Sequence, residues 1–163
     1  MTRLEVIRPF VEQTVRGFLG VDELKVMDDG TIPIRAGSTA VNVRLVEGTG
    51  DGRPLLQVYS PVLHEVTSSP ELLGRLNELN ATLSFARTFL AGDVVYISME
   101  LLAESLDEEQ VAHACALVSF AADHWDDELK DRFGGETFFG AEAGEGTTKG
   151  ATDPSDDAPG GYL

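Results

Sequence analysis

Cysteine is nearly missing from this chain: Cys115 is the only one. An intramolecular disulfide is therefore impossible, and a cysteine-rich metal site is excluded. Histidine is scarce too, with His64, His113 and His124 alone. His113 and His124 lie 11 residues apart on one expected helix. At about 1.5 Å rise per residue they stand roughly 16 Å apart, too far to share a metal ion. Basic charge is short, with 12 Lys+Arg against 28 Asp+Glu and a formal net charge of −16. Phosphate recognition needs basic patches, so nucleic acid is not an expected partner. Anionic membrane surfaces are disfavoured for the same reason. No stretch approaches the roughly 18 apolar residues of a membrane span. The first 19 residues carry Arg3, Glu5, Arg8, Glu12 and Arg16, unlike the uncharged apolar run of a secretory leader. The expected location is the cytoplasm.

Catalytic signals are also wanting. There is no Gly-x-Ser-x-Gly elbow. "GTGDG" at 48–52 leads into a strand rather than a helix, so it lacks the helix N-terminus that would hold phosphate. The aspartates at 153–157 do not match a calcium loop. His113 and Cys115 are two residues apart and point to different sides of a helix, which argues against a thiol–imidazole pair. Cys115 falls on an apolar stripe and reads as a small core residue. The acidic run "DHWDDELKD" at 123–131 reads as a solvated helix face. No catalytic residue, metal site or cofactor is expected, and the chain does not read as an enzyme.

What is present is a well-punctuated pattern of helices and strands. Thr2 followed by Glu5 fits a capping box, and Leu4, Ile7, Val11, Val15 and Phe18 recur at helical spacing up to Gly20. Strands are expected at 31–36, with Pro33 marking an edge, at 39–47, where Val41, Val43 and Leu45 alternate with Asn42 and Arg44, and at 54–66. Ser68 or Ser69 caps a second helix with Pro70 at its start, Leu72, Leu73, Leu76 and Leu79 on its buried face, and Asn80 at its end. Strands at 83–90 and 93–102 follow, joined by "AGD" as a hairpin. Ser105 with Glu108 predicts a capping box for the last helix, whose stripe is Val111, Cys115, Val118, Ala122, Trp125, Leu129 and Phe133. Gly134 and Gly135 end it. The resulting order is α-β-β-β-α-β-β-α. It defines an α+β fold with one five-stranded antiparallel sheet and helices packed on one face. One domain is expected over 1–135. Residues 136–163 are expected to form a disordered acidic, glycine-rich tail, because 140–161 hold no large apolar residue to offset the entropy of ordering.

Apolar residues exceed what helices on one face can cover. In the last strand Val95, Ile97, Met99 and Leu101 line one side, yet Val94, Tyr96 and Leu102 line the other. In the third strand Leu56, Val58 and Val62 oppose Leu55 and Tyr59. Leu117, Phe120 and the His124 ring form a second ridge on the last helix. Surplus of this kind marks a protein interface or a peptide groove.

The segments "YSPVLHEV" (59–66), "LLGRLNELN" (72–80) and "FARTFLAGDVVYISMELL" (85–102), with a closing helix ending in "FGG" (133–135), resemble the YbjN-like family, related to type III secretion chaperones of the CesT kind. The resemblance covers about residues 1–135. It implies a non-enzymatic, chaperone-like protein that binds extended segments of a polypeptide client, as a homodimer, across apolar patches or at a sheet edge. Strand alternation nominates Leu55, Tyr59, Val94 and Tyr96 as the exposed sheet face that such a client would meet. Asn77 and Asn80 match the family's helix-ending pattern and read as caps. The rival expectation is a homodimerisation or regulatory domain whose apolar face serves only its own dimer.

Overall fold

The computed structural model describes residues 1–36 and 39–138. It contains helices α1 (Arg3–Leu19), α2 (Pro70–Thr82) and α3 (Glu108–Phe133), with strands β1 (Ile32–Ala36), β2 (Thr39–Glu47), β3 (Pro54–His64), β4 (Arg87–Ala91), β5 (Val94–Leu102) and β6 (Glu136–Thr137). The strand order is β1-β2-β3-β5-β4, with β6 beside β3. The β1–β2, β2–β3 and β3–β6 pairs are antiparallel. The α+β order read from the sequence is thus the observed one, with a two-residue strand added at its end. Two compact units make up the chain: Met1–Ser60 with Ser98–Ser119, and Pro61–Ile97 with the residues from Phe120 on. The residues of β3, β5 and α3 are divided between the two.

In the first unit, α1 starts as its sequence dictates. Thr2 Oγ1 accepts the Glu5 N–H at 3.2 Å, and Glu5 accepts the Thr2 N–H at 2.6 Å. Two of the orphan donors of the helix start are thereby satisfied. The helix runs through Pro9 and stops at Gly20, whose φ of 64° suits a residue without a β-carbon. Val11 and Val15 are buried, while Val6 and Phe10 face outward. β1 ends the strand order, which is where Pro33, lacking an N–H, does least harm. Val41 and Val43 of β2 are fully buried, as their alternation requires.

The last helix does not begin where Ser105 and Glu108 suggested. Ala103–Ser105 form a 3₁₀ turn, and the chain is extended at Leu106. The cap is Asp107, whose carboxylate accepts the Gln110 N–H at 2.8 Å while the Gln110 side chain accepts the Asp107 N–H at 3.2 Å. The capping box is real but shifted by two residues, because the 3₁₀ turn uses Ser105 first. Of its stripe, Val111, Cys115, Val118, Ala122 and Leu129 are buried.

In the second unit, Ser69 caps α2 by accepting the Leu72 N–H at 3.1 Å, with Pro70 opening the helix. The helix then passes through Asn80 to Thr82. Asn80 is not its terminus, because its side chain has another task. Its Oδ1 accepts the Thr88 N–H at 2.6 Å and the Thr88 hydroxyl at 3.0 Å, and its Nδ2 donates to the Thr88 carbonyl at 3.0 Å. The Thr88 hydroxyl also reaches the Leu76 carbonyl at 3.0 Å. Strand β4 is therefore clamped to the helix that precedes it. The five residues between Thr82 and Thr88 must reverse within that span, and Phe85 takes φ 67° to do so. A left-handed residue bearing a β-carbon costs about 1–2 kcal/mol.

Arg75 joins α2 to α3 through two parallel bonds to Glu128, each 2.8 Å. After α3 the chain turns at Gly134 and Gly135, both with positive φ. A β-carbon on Gly135 would stand 2.7 Å from the His64 carbonyl, so only glycine lets the backbone pass there. That passage places Glu136 and Thr137 opposite His64 and Leu63. The first residues of the expected tail, Glu136 and Thr137, thus pair with β3, and residues 139–163 lie outside the described residues.

Candidate peptide-binding surface

Alternation placed Leu55, Tyr59, Val94 and Tyr96 on an exposed sheet face, and the structure corrects this. Tyr96 is fully buried, Tyr59 and Val94 are nearly so, and only Leu55 is half-exposed. Along most of β3 and β5 the residues pointing to either side are buried. Period-two alternation reports which residues share a side, not whether that side meets water.

In the first unit the side that holds Tyr59 carries a polar network. Arg44 stands opposite Gln57 across β2 and β3. Its Nε donates to Gln57 Oε1 at 2.9 Å, and its guanidinium lies 5.3 Å from the Tyr59 ring centre. Gln57 donates to Glu100 at 3.2 Å, and Ser98 donates to the same oxygen at 3.1 Å. Arg44, Gln57 and Ser98 are buried. An arginine on a strand reads as solvent-facing in sequence. Here its flat cation is held against an aromatic ring and a carboxamide, which offsets its desolvation.

The second unit brings Tyr96 together with an aromatic ring of β4. Phe89 stacks on Tyr96 at 5.6 Å between ring centres and 21° between planes. Arg87 covers Phe89 at 5.2 Å. Tyr96 is thus the floor of an aromatic layer, and Phe89, half-exposed, is its outer surface. Two residues before Arg87, Phe85 is 81% exposed, one of the most exposed large apolar side chains described. A fully solvated phenylalanine in a left-handed backbone is disfavoured on both counts. Neither fact shows in the sequence, where "SFARTF" reads as a plain strand.

The ridge expected on α3 is present in part. Phe120 is 66% exposed and stacks on His124 at 5.5 Å, and His124 meets the edge of Trp125 at 4.9 Å. Leu117 is half-buried. Cys115 is 2% exposed, and burial pushes its thiol up to about 12, so at neutral pH it carries no thiolate. Burial also raises the Asp126 carboxyl above the usual range. The Arg75 hydrogen bonds hold Glu128 below it. Among the described residues, no group of three His, Cys, Asp or Glu side chains is placed to hold a metal ion, and no helix is long and apolar enough to cross a membrane.

A protein-family model described as T3SS (YopN, CesT) and YbjN peptide-binding chaperone 1 matches residues 5–141. The chain belongs to this family of peptide-binding chaperones. Its class is therefore a non-enzymatic, chaperone-like protein with a polypeptide partner, and the alternative of a self-association domain without a client is not favoured. No curated protein matches the chain. Among solved structures, "Crystal Structure of the ExsC-ExsE Complex" holds a similar chain, 16% identical, with a TM-score of 0.57 over 79% of this chain and 97% of that one. "Structure of the HopA1-SchA Chaperone-Effector Complex" holds another, 16% identical, with a TM-score of 0.55 over 78% and 98%. At that identity the likeness shows the fold.

Proposed function

We propose that extended, apolar segments of a client polypeptide dock on the aromatic layer of the second unit, with Phe89 and Arg87 as contacts and Tyr96 and Val94 as the floor beneath them. The observation that carries this reading is the Phe89–Tyr96 stack, a flat apolar surface with its outer ring half-exposed. Aromatic side chains bury much area at small entropic cost, which is why they dominate binding surfaces. Docking across the layer suits this strand better than pairing along it. The Thr88 N–H and carbonyl, which an added strand beside β4 would need, are already taken by Asn80. Leu55, half-exposed in the first unit, is a separate contact in this reading, and Tyr59 supports it from beneath Arg44.

The net charge of −16 favours basic or amphipathic clients and keeps a loaded complex soluble. Work in the cytoplasm as a homodimer completes the proposal, following the family resemblance. Mass by light scattering checks the dimer. A photo-crosslinking amino acid placed at Phe89 in the native cell tests the site. Reproducible crosslinks to a few polypeptides, absent when the same group replaces the exposed Leu73, are expected. Equal labelling at both positions, or none at 89, would sink the proposal.

A further inference from the structure

We infer that Phe85 is a pre-positioned anchor that inserts between the apolar side chains of the client, an inference that rests on the docking surface proposed above. Three observations converge on it. The ring is 81% exposed, so it contributes little packing to its own fold. Its backbone φ of 67° is one that glycine or asparagine adopts far more readily than phenylalanine. The turn that carries it is anchored at both ends. Leu83 donates to the Leu79 carbonyl at 2.9 Å on one side, and the Asn80 carboxamide grips Thr88 on the other. Ala86, the next residue, is buried beneath the turn. A turn clamped at both ends loses little backbone freedom when its ring enters a partner, and a phenylalanine has only two side-chain torsions to fix, which favours it as an anchor.

The occupant is an extended peptide with large apolar side chains alternating with basic ones. The apolar positions meet Phe85 and Phe89, and the basic ones suit the acidic chain. A short fluorescent peptide of alternating leucine and lysine serves as the probe, titrated by anisotropy against the full chain. An alternating serine and lysine peptide is the control for charge alone.

Phe85→Asn and Phe85→Gly relieve the left-handed backbone and remove the ring. Both are expected to melt at or above the wild-type temperature while binding the leucine–lysine peptide about tenfold or more weakly. Phe85→Tyr keeps the ring and is expected to bind as wild type does. Undiminished binding by Phe85→Asn overturns the anchor but leaves the docking surface standing. Weaker binding together with a lower melting temperature also overturns it, because the ring would then be holding the fold. A wild-type chain that ignores the leucine peptide, or binds the serine peptide equally well, overturns the anchor and the docking surface together.

Discussion

Replacing Asn80 with alanine would unfasten β4 from α2. Asn80 makes three hydrogen bonds to Thr88, at 2.6, 3.0 and 3.0 Å. Thr88 itself is buried, so its N–H and carbonyl lose partners that water replaces poorly. The bonds to the buried Thr88 N–H and carbonyl are lost at about 1.3 kcal/mol each, while the single proton of the Thr88 hydroxyl keeps the Leu76 carbonyl as its acceptor. Alanine returns about 0.6 kcal/mol through its better helix propensity. The net cost is about 2 kcal/mol. For a domain of this length that lowers the melting temperature by about 7 °C. Guanidinium unfolding followed by circular dichroism measures it, as a lower midpoint with an unchanged slope. Asn80→Asp keeps the acceptor for the Thr88 N–H but sets a carboxylate against its carbonyl, so it is expected to rescue little. If Asn80→Ala cost less than about 0.5 kcal/mol, the clamp would be ornamental and the reasoning wrong.

Glu128→Gln keeps one acceptor for Arg75 but loses the second bond and the charge of the pair, and is expected to cost about 1 kcal/mol at neutral pH, held down by partial exposure. Because the folded-state carboxyl titrates below its unfolded value, that stabilisation is present above about pH 4.3 and disappears as acid protonates the folded form, so wild type and variant converge in unfolding curves at low pH. Asp126 has the opposite sign. Burial raises its carboxyl, so its penalty acts above the folded value and vanishes in acid, and Asp126→Asn is expected to be the more stable protein at neutral pH with the advantage lost on acidification. Cys115 is expected to resist a thiol reagent in the native protein and to react at the rate of unfolding, and prompt labelling would refute its burial.

Much of the fold was legible because local chemistry acts within a few residues. Thr2 and Glu5 cap α1 by direct reach, Ser69 and Pro70 open α2, and Gly20 closes α1 in a conformation glycine favours. The strand alternation of Val41 and Val43 followed from the pleat. Where two local signals competed, the sequence could not arbitrate. Ser105 and Asp107 both look like caps, and the 3₁₀ turn decided for Asp107.

The candidate site was less legible. Leu55, Tyr59, Val94 and Tyr96 share sides of their strands as read, yet three of the four are buried, because exposure depends on the neighbours a strand acquires and not on its own period. Asn80 looked like a helix end because asparagine tolerates the left-handed region there, but its carboxamide found the Thr88 backbone instead. Phe85 gave no signal at all, since its exposure and its positive φ follow from the clamp on either side of it. By itself, then, the sequence determined the acidic charge of the chain and, through contacts a few residues long, most of the elements and their order. The tertiary structure decided which aromatic rings are floor and which are surface, because burial is set by residues far apart in the chain that only folding brings together.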